Sequence, residues 1–274
     1  MGTQFWWFYD VLIAAITGCI LYNAVAKGFN RMLFPLIGSI LAVVVGFFGS
    51  DFLAPPVYEM LFQDTVTEHF EIEYTETELY PAILDSYNNV KSPDAPMKEK
   101  ELREALAQET VPEALTMAVG QTVDTMLHSL SPLPQENVST FFVEHPAALR
   151  QFLDAEDAQS AASAVESHYL RPFYVSLVRM GLFLLLMAVV LILMGIISNM
   201  AGSLEELMHM RRGNHILAFP IGLVQAAAVL IAVTMAVRLI VLGTGNMMIL
   251  FNQETIDKTM LFHYLYEQIQ SVFL

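Results

Sequence analysis

The sequence predicts an all-α integral membrane protein with four transmembrane helices and a mainly helical extramembrane insert between spans 2 and 3. Three observations predict this class. Of the 274 residues, 55% are hydrophobic and 15% are charged, and the mean hydropathy is +0.51, which is too apolar for an ordinary soluble domain. Four apolar runs are each long enough to cross a hydrocarbon core about 30 Å thick. The net charge of −15 is concentrated, since 20 of the 28 acidic residues lie between Asp64 and Glu166.

The first two apolar runs, residues 6–26 and 32–53, predict a transmembrane helical hairpin. Each run spans about 30 Å, because the helical rise is about 1.5 Å per residue. Neither run has the polar face that a soluble helix of this length keeps. Pro55 and Pro56 predict the end of the second helix, since proline cannot donate the hydrogen bond that would continue it.

Positive charge marks two connectors between the apolar runs. In the first, Lys27 and Arg31 flank Gly28, which we expect to cap the first helix. In the second, Arg211 and Arg212 belong to a segment that predicts a short amphipathic connector at the membrane surface. Cytoplasmic connectors carry an excess of lysine and arginine. We therefore expect both connectors on the cytoplasmic side, and the insert and both termini outside.

Composition predicts four domains. Residues 1–62 form the hairpin, and 63–172 form an acidic, mainly helical extracytoplasmic domain. Residues 173–243 contain spans 3 and 4 with their connector, and 244–274 form an interfacial C-terminal segment. This last segment is aromatic and too short to cross a bilayer, so we expect it to lie at the outer surface.

The insert carries several helix signals. Thr110 and Glu113 resemble a capping box at the start of a helix that runs to about residue 130. Apolar residues recur there at every fourth position, enough for one buried stripe: Leu115, Val119, Val123 and Leu127. Residues 65–74 alternate in polarity, which is typical of a strand, but because there is only one such run we expect an extended link there. Further helices are predicted over residues 97–108, 146–153 and 156–170.

The remaining apolar runs, residues 173–198 and 216–242, predict the third and fourth spans. Gln225 and Thr234 interrupt the fourth run. We expect them to form hydrogen bonds across helices, the alternative being that they line a pore. Glycines within the runs predict close helix packing; they are Gly18, Gly38, Gly46, Gly49 and Gly222.

Four charged residues are expected at one depth near the outer interface: Asp10, Asp51, Arg179 and Arg238. Two carboxylates and two guanidiniums at one level neutralise each other, and an unpaired charge in lipid costs at least ~2.5 kcal/mol. We therefore predict an intramembrane charge cluster that lines a vestibule or a binding site. The alternative is that both arginines extend to the lipid headgroups.

Catalytic motifs are missing from the sequence. It contains no HExxH, nucleophile elbow, phosphate loop or CxxC, so we predict no enzyme, no metal and no cofactor. The acidic charge balance excludes a nucleic-acid partner, which would need a basic face. The expected partners are the lipid bilayer, further copies of the chain in a homo-oligomer, and an extracytoplasmic protein.

Several segments carry a family resemblance: Asp10, the turn Lys27-Gly28-Phe29, residues 214–217, and the end of the chain over 255–258 and 261–266. These segments resemble the colicin V production protein family, CvpA. The resemblance covers residues 5–60 and 173–266. Many members have Gly-x-x-Arg-Gly in the last span, where this chain has Gly-Leu-Val-Gln-Ala over residues 222–226. The resemblance implies a bacterial cytoplasmic-membrane protein linked to toxin production or secretion and to envelope homeostasis.

Two functions follow from these patterns. The first is a transport-related protein, acting as an oligomeric channel, in which the charge cluster and the polar fourth span contribute to a permeation or secretion route. The second is a non-transporting membrane scaffold or sensor. In that case the acidic outer domain captures a partner, and the spans only anchor it.

Overall fold

The computed structural model describes residues 6–27, 29–90, 96–108, 110–134, 136–207, 215–245, 248 and 250–273. Within these residues all regular secondary structure is helical, with thirteen α-helices and two π-helical segments. The chain divides into two compact units. We call Met1–Pro55 with Ser176–Leu274 the span unit, and Pro56–Val175 the insert unit.

Four helices are long and apolar enough to cross a membrane, which confirms the four predicted spans at that level and indicates a membrane protein. They are α1 (Trp7–Lys27), α2 (Phe29–Tyr58), α10 (Arg171–Leu207) and α11 (His215–Gly243). Two shorter helices follow, α12 (Gln253–Asp257) and α13 (Phe262–Phe273). Both lie in the segment predicted to be interfacial.

Close packing between these helices depends on glycine, as predicted. A Cβ added to Gly222 of α11 would lie 2.8 Å from the Cβ of Ala24 on α1. On α2, a Cβ at Gly46 would lie 3.0 Å from the ring of Phe183 on α10. Gly38 and Gly49 make similar approaches to α10, whereas Gly18 has nothing within 4 Å. Small residues therefore let these helix backbones approach each other.

The second helix extends beyond its predicted end. It continues through Pro55 and Pro56 to Tyr58, so the prediction that the prolines terminate it is wrong. Ala54 and Tyr58, on either side of the prolines, are fully buried. Packing therefore holds the helix where local propensity would end it. A π-helical segment, π1 (Glu59–Gln63), follows directly.

The insert unit contains the other helices. They are α3 (Asp64–Glu76), α4 (Leu79–Val90), α5 (Glu99–Leu106), α6 (Glu113–Leu127), α7 (Val138–Glu144), α8 (Pro146–Leu153) and α9 (Ala158–Val165), and π2 (Glu166–Leu170) follows α9. Helices were predicted at α5, α6, α8 and α9, but not at α4 or α7. The extended link predicted at residues 65–74 is wrong, because this segment is α3. Val66 and Phe70, one turn apart, are both buried, so the segment has a helical apolar face.

Helix α6 supplies the centre of the insert core. Its four predicted stripe residues, Leu115, Val119, Val123 and Leu127, are each at most 1% exposed. The helix begins at Glu113 after Pro112, with no side-chain cap, so the capping box predicted from Thr110 is wrong. A Cβ added to Gly120 would lie 2.3 Å from the Cα of Ser139 on α7. Glycine at this position therefore lets α7 pack directly against α6.

Part of the predicted basic turns falls outside the described residues, namely Gly28, Arg211 and Arg212. Lys27 ends α1 and is exposed, and the backbone of Arg31 lies in the first turn of α2. Helix α1 therefore ends, and α2 begins, where the sequence predicted the first connector. Helix α10 continues to Leu207, so the first half of the predicted amphipathic connector is an extension of the third span.

Candidate functional site

Two of the four predicted charges, Asp51 on α2 and Arg179 on α10, form an ion pair. The Nη2 atom of Arg179 lies 3.2 Å from Oδ1 of Asp51. The same guanidinium stands over the ring of Phe47, 5.2 Å from its centroid. The arginine side chain is 19% exposed and the aspartate side chain is 62% exposed. Each charge is thereby neutralised within the chain, which removes the cost of placing it alone in lipid.

Asp10 has a different partner. Its carboxylate accepts three backbone hydrogen bonds from the chain just before and at the start of α13. Oδ2 accepts from the N–H of Met260 at 2.8 Å, and Oδ1 accepts from Leu261 at 2.9 Å and from Phe262 at 3.1 Å. A carboxylate is a strong acceptor for the unpaired N–H groups at a helix N-terminus. Asp10 therefore fastens the C-terminal segment to α1.

Arg238 is buried beside that segment. It is 2% exposed, and its guanidinium stands 5.5 Å from the ring centroid of Tyr266. Within the described part of the chain, its Nε and Nη1 atoms have no hydrogen-bond partner. Tyr266 belongs to a core cluster with Tyr9 and Ile13 of α1, and burial raises the pKa of its phenol. Cation–π attraction is the contact that the structure gives Arg238.

The polar residues of the fourth span lie inside the span unit. Gln225 is 7% exposed and Thr234 is 1% exposed. The Thr234 hydroxyl donates to the carbonyl of Leu230 at 2.8 Å, within its own helix. For Thr234 the expected hydrogen bond across helices is therefore replaced by a bond to the preceding turn.

A second group of polar contacts lies where α2 meets π1 and at the two ends of π2, all within the insert unit. The hydroxyl of Tyr58, just before π1, donates to Oε1 of Glu166, the first residue of π2, at 2.8 Å. Both residues are buried, at 0% and 4% exposure. The Tyr58 ring also stacks on Tyr174, with 6.2 Å between centroids. A carboxyl acceptor and a hydroxyl donor are therefore both withdrawn from solvent in this pair.

An ion pair stands beside this buried hydrogen bond. Arg171, just after π2, contacts Glu59, the first residue of π1. Both side chains are partly exposed, so the pair contributes at most about 1 kcal/mol by itself. Tyr58, Glu59, Glu166 and Arg171 together form what we call the π-segment cluster.

The π-segment cluster did not emerge from the sequence. One signal for it was present: Glu59 follows the second apolar run, and Arg171 precedes the third. Opposite charges at the facing ends of consecutive apolar runs predict an ion pair if the two helices are antiparallel neighbours. The buried pair between Tyr58 and Glu166 had no such signal, because α-helical periodicity does not show a π-helical segment.

The insert unit also has two polar surface clefts. One, of about 220 Å³, is lined by carboxylates and hydroxyls together with Met126: Glu73, Thr77, Asp85, Ser86, Thr122 and Thr125. The other, of about 490 Å³, is open and is lined mainly by Gln151, Asp157, Gln159, Ser160, Ser163 and Ser167. Both surfaces offer mainly hydrogen-bond acceptors and hydroxyls, which suits a polar or cationic partner.

The chain matches no family model, no curated protein and no solved structure. Its resemblance to the colicin V production family therefore stays a prediction that rests on the segments quoted above.

Proposed function

We propose that the protein is a multi-pass membrane protein of the bacterial cytoplasmic membrane that senses or captures a partner through its insert unit. The observation that carries this proposal is the π-segment cluster. Each π-helical segment lies between a long apolar helix and a helix of the insert, π1 between α2 and α3 and π2 between α9 and α10, with no non-helical residue between them. Such segments occur frequently at functional sites.

The buried pair gives the cluster two distinct states. A buried Glu166 carboxyl that loses the Tyr58 hydroxyl is left without this hydrogen-bond partner, which costs about 1–3 kcal/mol. The pair is therefore either made or broken, with little between. Because the pair links the residue before π1 to the first residue of π2, a partner that moves α3 or α9 shifts this equilibrium by its differential affinity for the two states.

The resemblance to the colicin V production family supports a role in toxin production or secretion and in envelope homeostasis. In this proposal the insert, with its acidic charge and polar clefts, is extracytoplasmic, together with both termini. The partner is then a protein or small molecule of the envelope. This placement rests on the basic connectors of the sequence.

A second candidate function, transport by an oligomeric channel, is supported by α11. This span carries three buried polar side chains, Gln225, Thr234 and Arg238. Ionisable residues within membrane helices face a bundle interior or a water-filled path and often mark ion or substrate routes. A homo-oligomer would bring several copies of α11 together around such a route.

A flux assay separates the two functions. The full chain is reconstituted in liposomes, and ion flux is measured for monovalent cations and anions with and without membrane tension. A sensor gives the flux of protein-free liposomes. A channel gives flux that Gln225→Leu alters, while Gly18→Ala, at an open surface position, leaves it unchanged. Flux that responds to Gln225→Leu contradicts the non-transporting function.

A labelling experiment tests coupling through the cluster. In a Cys19→Ala background, spin labels are placed at Tyr22 and Leu185, exposed positions on α1 and α10. Glu166→Gln is expected to change the distance distribution between the labels in lipid nanodiscs. The matched control is Glu144→Gln, which alters an exposed carboxylate on α7. Equal distributions for both variants and the wild type contradict the proposed coupling.

A further inference from the structure

The turn between α12 and α13 has an unusual combination of backbone and side chains. Four consecutive backbone N–H groups, from Met260 to His263, donate to side-chain acceptors. Three donate to the carboxylate of Asp10, and that of His263 donates to the hydroxyl oxygen of Thr259 at 2.8 Å. Thr259 in turn donates its hydroxyl proton to the carbonyl of Ile256 at 2.7 Å. The turn therefore needs no water to satisfy these donors.

Its side chains are apolar and point away from the core. Met260 is 72% exposed, Leu261 is 57% exposed, and Tyr264, in the first turn of α13, is 68% exposed. The neighbouring side chains Phe262 and Tyr266 are buried at 1% and 2% in the core cluster with Tyr9, so one face of α13 packs within the span unit. Met260, Leu261 and Tyr264 therefore form a small apolar surface on a turn that Asp10 holds in place. We call the turn with these three side chains the Asp10 turn.

Two exposed tryptophans lie at the same level of the span unit. Trp6 and Trp7 are 40% and 48% exposed, and they precede Asp10 by four and three residues, about one helical turn. Because Asp10 bonds directly to the Asp10 turn, the aromatic start of α1 and the exposed turn lie side by side. Tryptophan and tyrosine at the end of an apolar helix are typical of the membrane–water interface.

We propose that the Asp10 turn is immersed in the headgroup and upper acyl region of the bilayer that α1 crosses. This inference rests on the proposed membrane function. Towards the acyl chains less water is available to accept from a backbone N–H, and here Asp10 and Thr259 supply the acceptors. Immersed apolar side chains lose their exposure to water. The bilayer surface thus continues from the apolar side chains of α1 onto Met260, Leu261 and Tyr264.

The charges around the Asp10 turn indicate which lipids it accepts. Lys258 is paired with Glu254 at 3.0 Å, and His263 lies between Asp257 and Glu267, 3.7 Å and 3.2 Å from their carboxylates. Carboxylates therefore outnumber cations here, and anionic headgroups are not attracted. We expect immersion in zwitterionic membranes without any need for anionic lipid.

Quenching of single tryptophans tests the proposal in the full chain. Trp6→Phe and Trp7→Phe remove both native tryptophans, and one tryptophan is then introduced at Leu261, Val189 or Met117. Val189 is an exposed position within the third span, and Met117 is an exposed position on α6 of the insert. Each variant is placed in zwitterionic nanodiscs whose lipids carry bromine either near the headgroup or near the end of the acyl chain.

We expect Leu261→Trp to lose fluorescence mainly to the shallow bromine, and Val189→Trp mainly to the deep one, while Met117→Trp loses none. If Leu261→Trp is as unquenched as Met117→Trp while Val189→Trp is quenched, the Asp10 turn is outside the bilayer and this inference is wrong. If Val189→Trp is also unquenched, the proposed membrane function fails instead.

A second pair of variants covers the case in which Leu261→Trp disturbs the fold. Tyr264→Trp replaces one exposed aromatic residue by another and is expected to show the same shallow quenching. Adding Asp10→Ala to Tyr264→Trp releases the turn, so quenching by the shallow bromine should fall. Unchanged quenching after Asp10→Ala contradicts the role given to Asp10, and no quenching of Tyr264→Trp contradicts the immersion itself.

Discussion

The insert unit and the span unit place similar side chains in opposite ways. In the insert, Phe142 and Phe152 are at most 2% exposed and lie 5.9 Å apart between ring centroids. On α2 of the span unit, Phe48 and Phe52 are 66% and 80% exposed. The insert is thus stabilised by withdrawing apolar surface from water. The span helices offer theirs to lipid, and their mutual packing depends on small residues and satisfied polar groups.

The largest difference is expected on removing a phenylalanine ring. Phe152→Ala leaves a cavity beside Phe142 and Tyr74 and should destabilise the insert by about 3–5 kcal/mol. Phe52→Ala removes an exposed ring and should change stability by no more than about 0.5 kcal/mol. Hydrogen exchange of the full chain in nanodiscs is read by mass spectrometry for α7 and α8 in Phe152→Ala and for α2 in Phe52→Ala, each relative to wild type. If Phe152→Ala and Phe52→Ala lost the same amount of exchange protection relative to wild type, the proposed contrast between the two units would be wrong.

The next effect concerns glycine. In Gly120→Ala the new Cβ clashes with the backbone of Ser139. Backbone atoms cannot move aside as a flexible side chain can, so a destabilisation of about 1–3 kcal/mol is expected. Gly181→Ala on α10 meets no atom within 4 Å, and alanine's higher helix propensity should stabilise that helix by up to about 1 kcal/mol. Exchange of α6 and α10 amides reports each change. A stabilising Gly120→Ala would show that α7 moves freely away from α6.

Polar anchoring in the span unit should give a smaller change. Asp10→Ala removes the acceptor of three N–H groups and is expected to cost about 1–2 kcal/mol, as for the loss of a strong helix cap. Asp10→Asn keeps one carbonyl oxygen as an acceptor, so its stability should lie between that of Asp10→Ala and that of the wild type. Exchange rates of the amides at 260–263 are the measurement. If these amides exchange at the wild-type rate in both Asp10→Asn and Asp10→Ala, solvent satisfies the N–H donors as well as Asp10 does.

The smallest effect is a dependence on pH within the insert. Burial raises the pKa of Asp124, although hydrogen bonds from the N–H of Val138 and the hydroxyl of Ser139 oppose this. Since the folded pKa lies above the unfolded value, stability rises as pH falls through the folded pKa towards 3.8. Asp124→Asn should lose this acid-side gain. Asp157 has a lowered pKa from its bonds with Ser160, so Asp157→Asn should show the opposite change.

How far the sequence predicts this structure depends on the range of the interactions. The four apolar helices follow from length and composition alone, and the buried stripe of α6 follows from periodicity. Residues 65–74 were mistaken for an extended link because polarity alternates there, although Val66 and Phe70 also mark a helical face. The end predicted at Pro55 and Pro56 failed because tertiary packing outweighs a local proline rule.

The polar contacts were harder to predict than the helices. The sequence predicts one depth for four charged residues: Asp10, Asp51, Arg179 and Arg238. A common depth does not predict which group each of them contacts. Asp51 and Arg179 have complementary side chains, and they form a pair. Asp10 bonds to backbone N–H groups, which every residue except proline carries, so no residue type could mark its partner. Arg238 stands over the ring of Tyr266 in the C-terminal segment. The position of that segment depends on the bonds of Asp10 to its backbone, so the partner of Arg238 could not be predicted without them.

The contact of Asp10 with Met260 has a consequence for biosynthesis, because the two residues are 250 positions apart in the chain. A nascent first span enters the membrane before the N–H partners of its carboxylate exist. These partners become available only after the segment just before α13 has been synthesised. Until then α1 lacks its attachment to the C-terminal segment, and a chain truncated before Met260 should expose its first span to the cell's quality-control proteases.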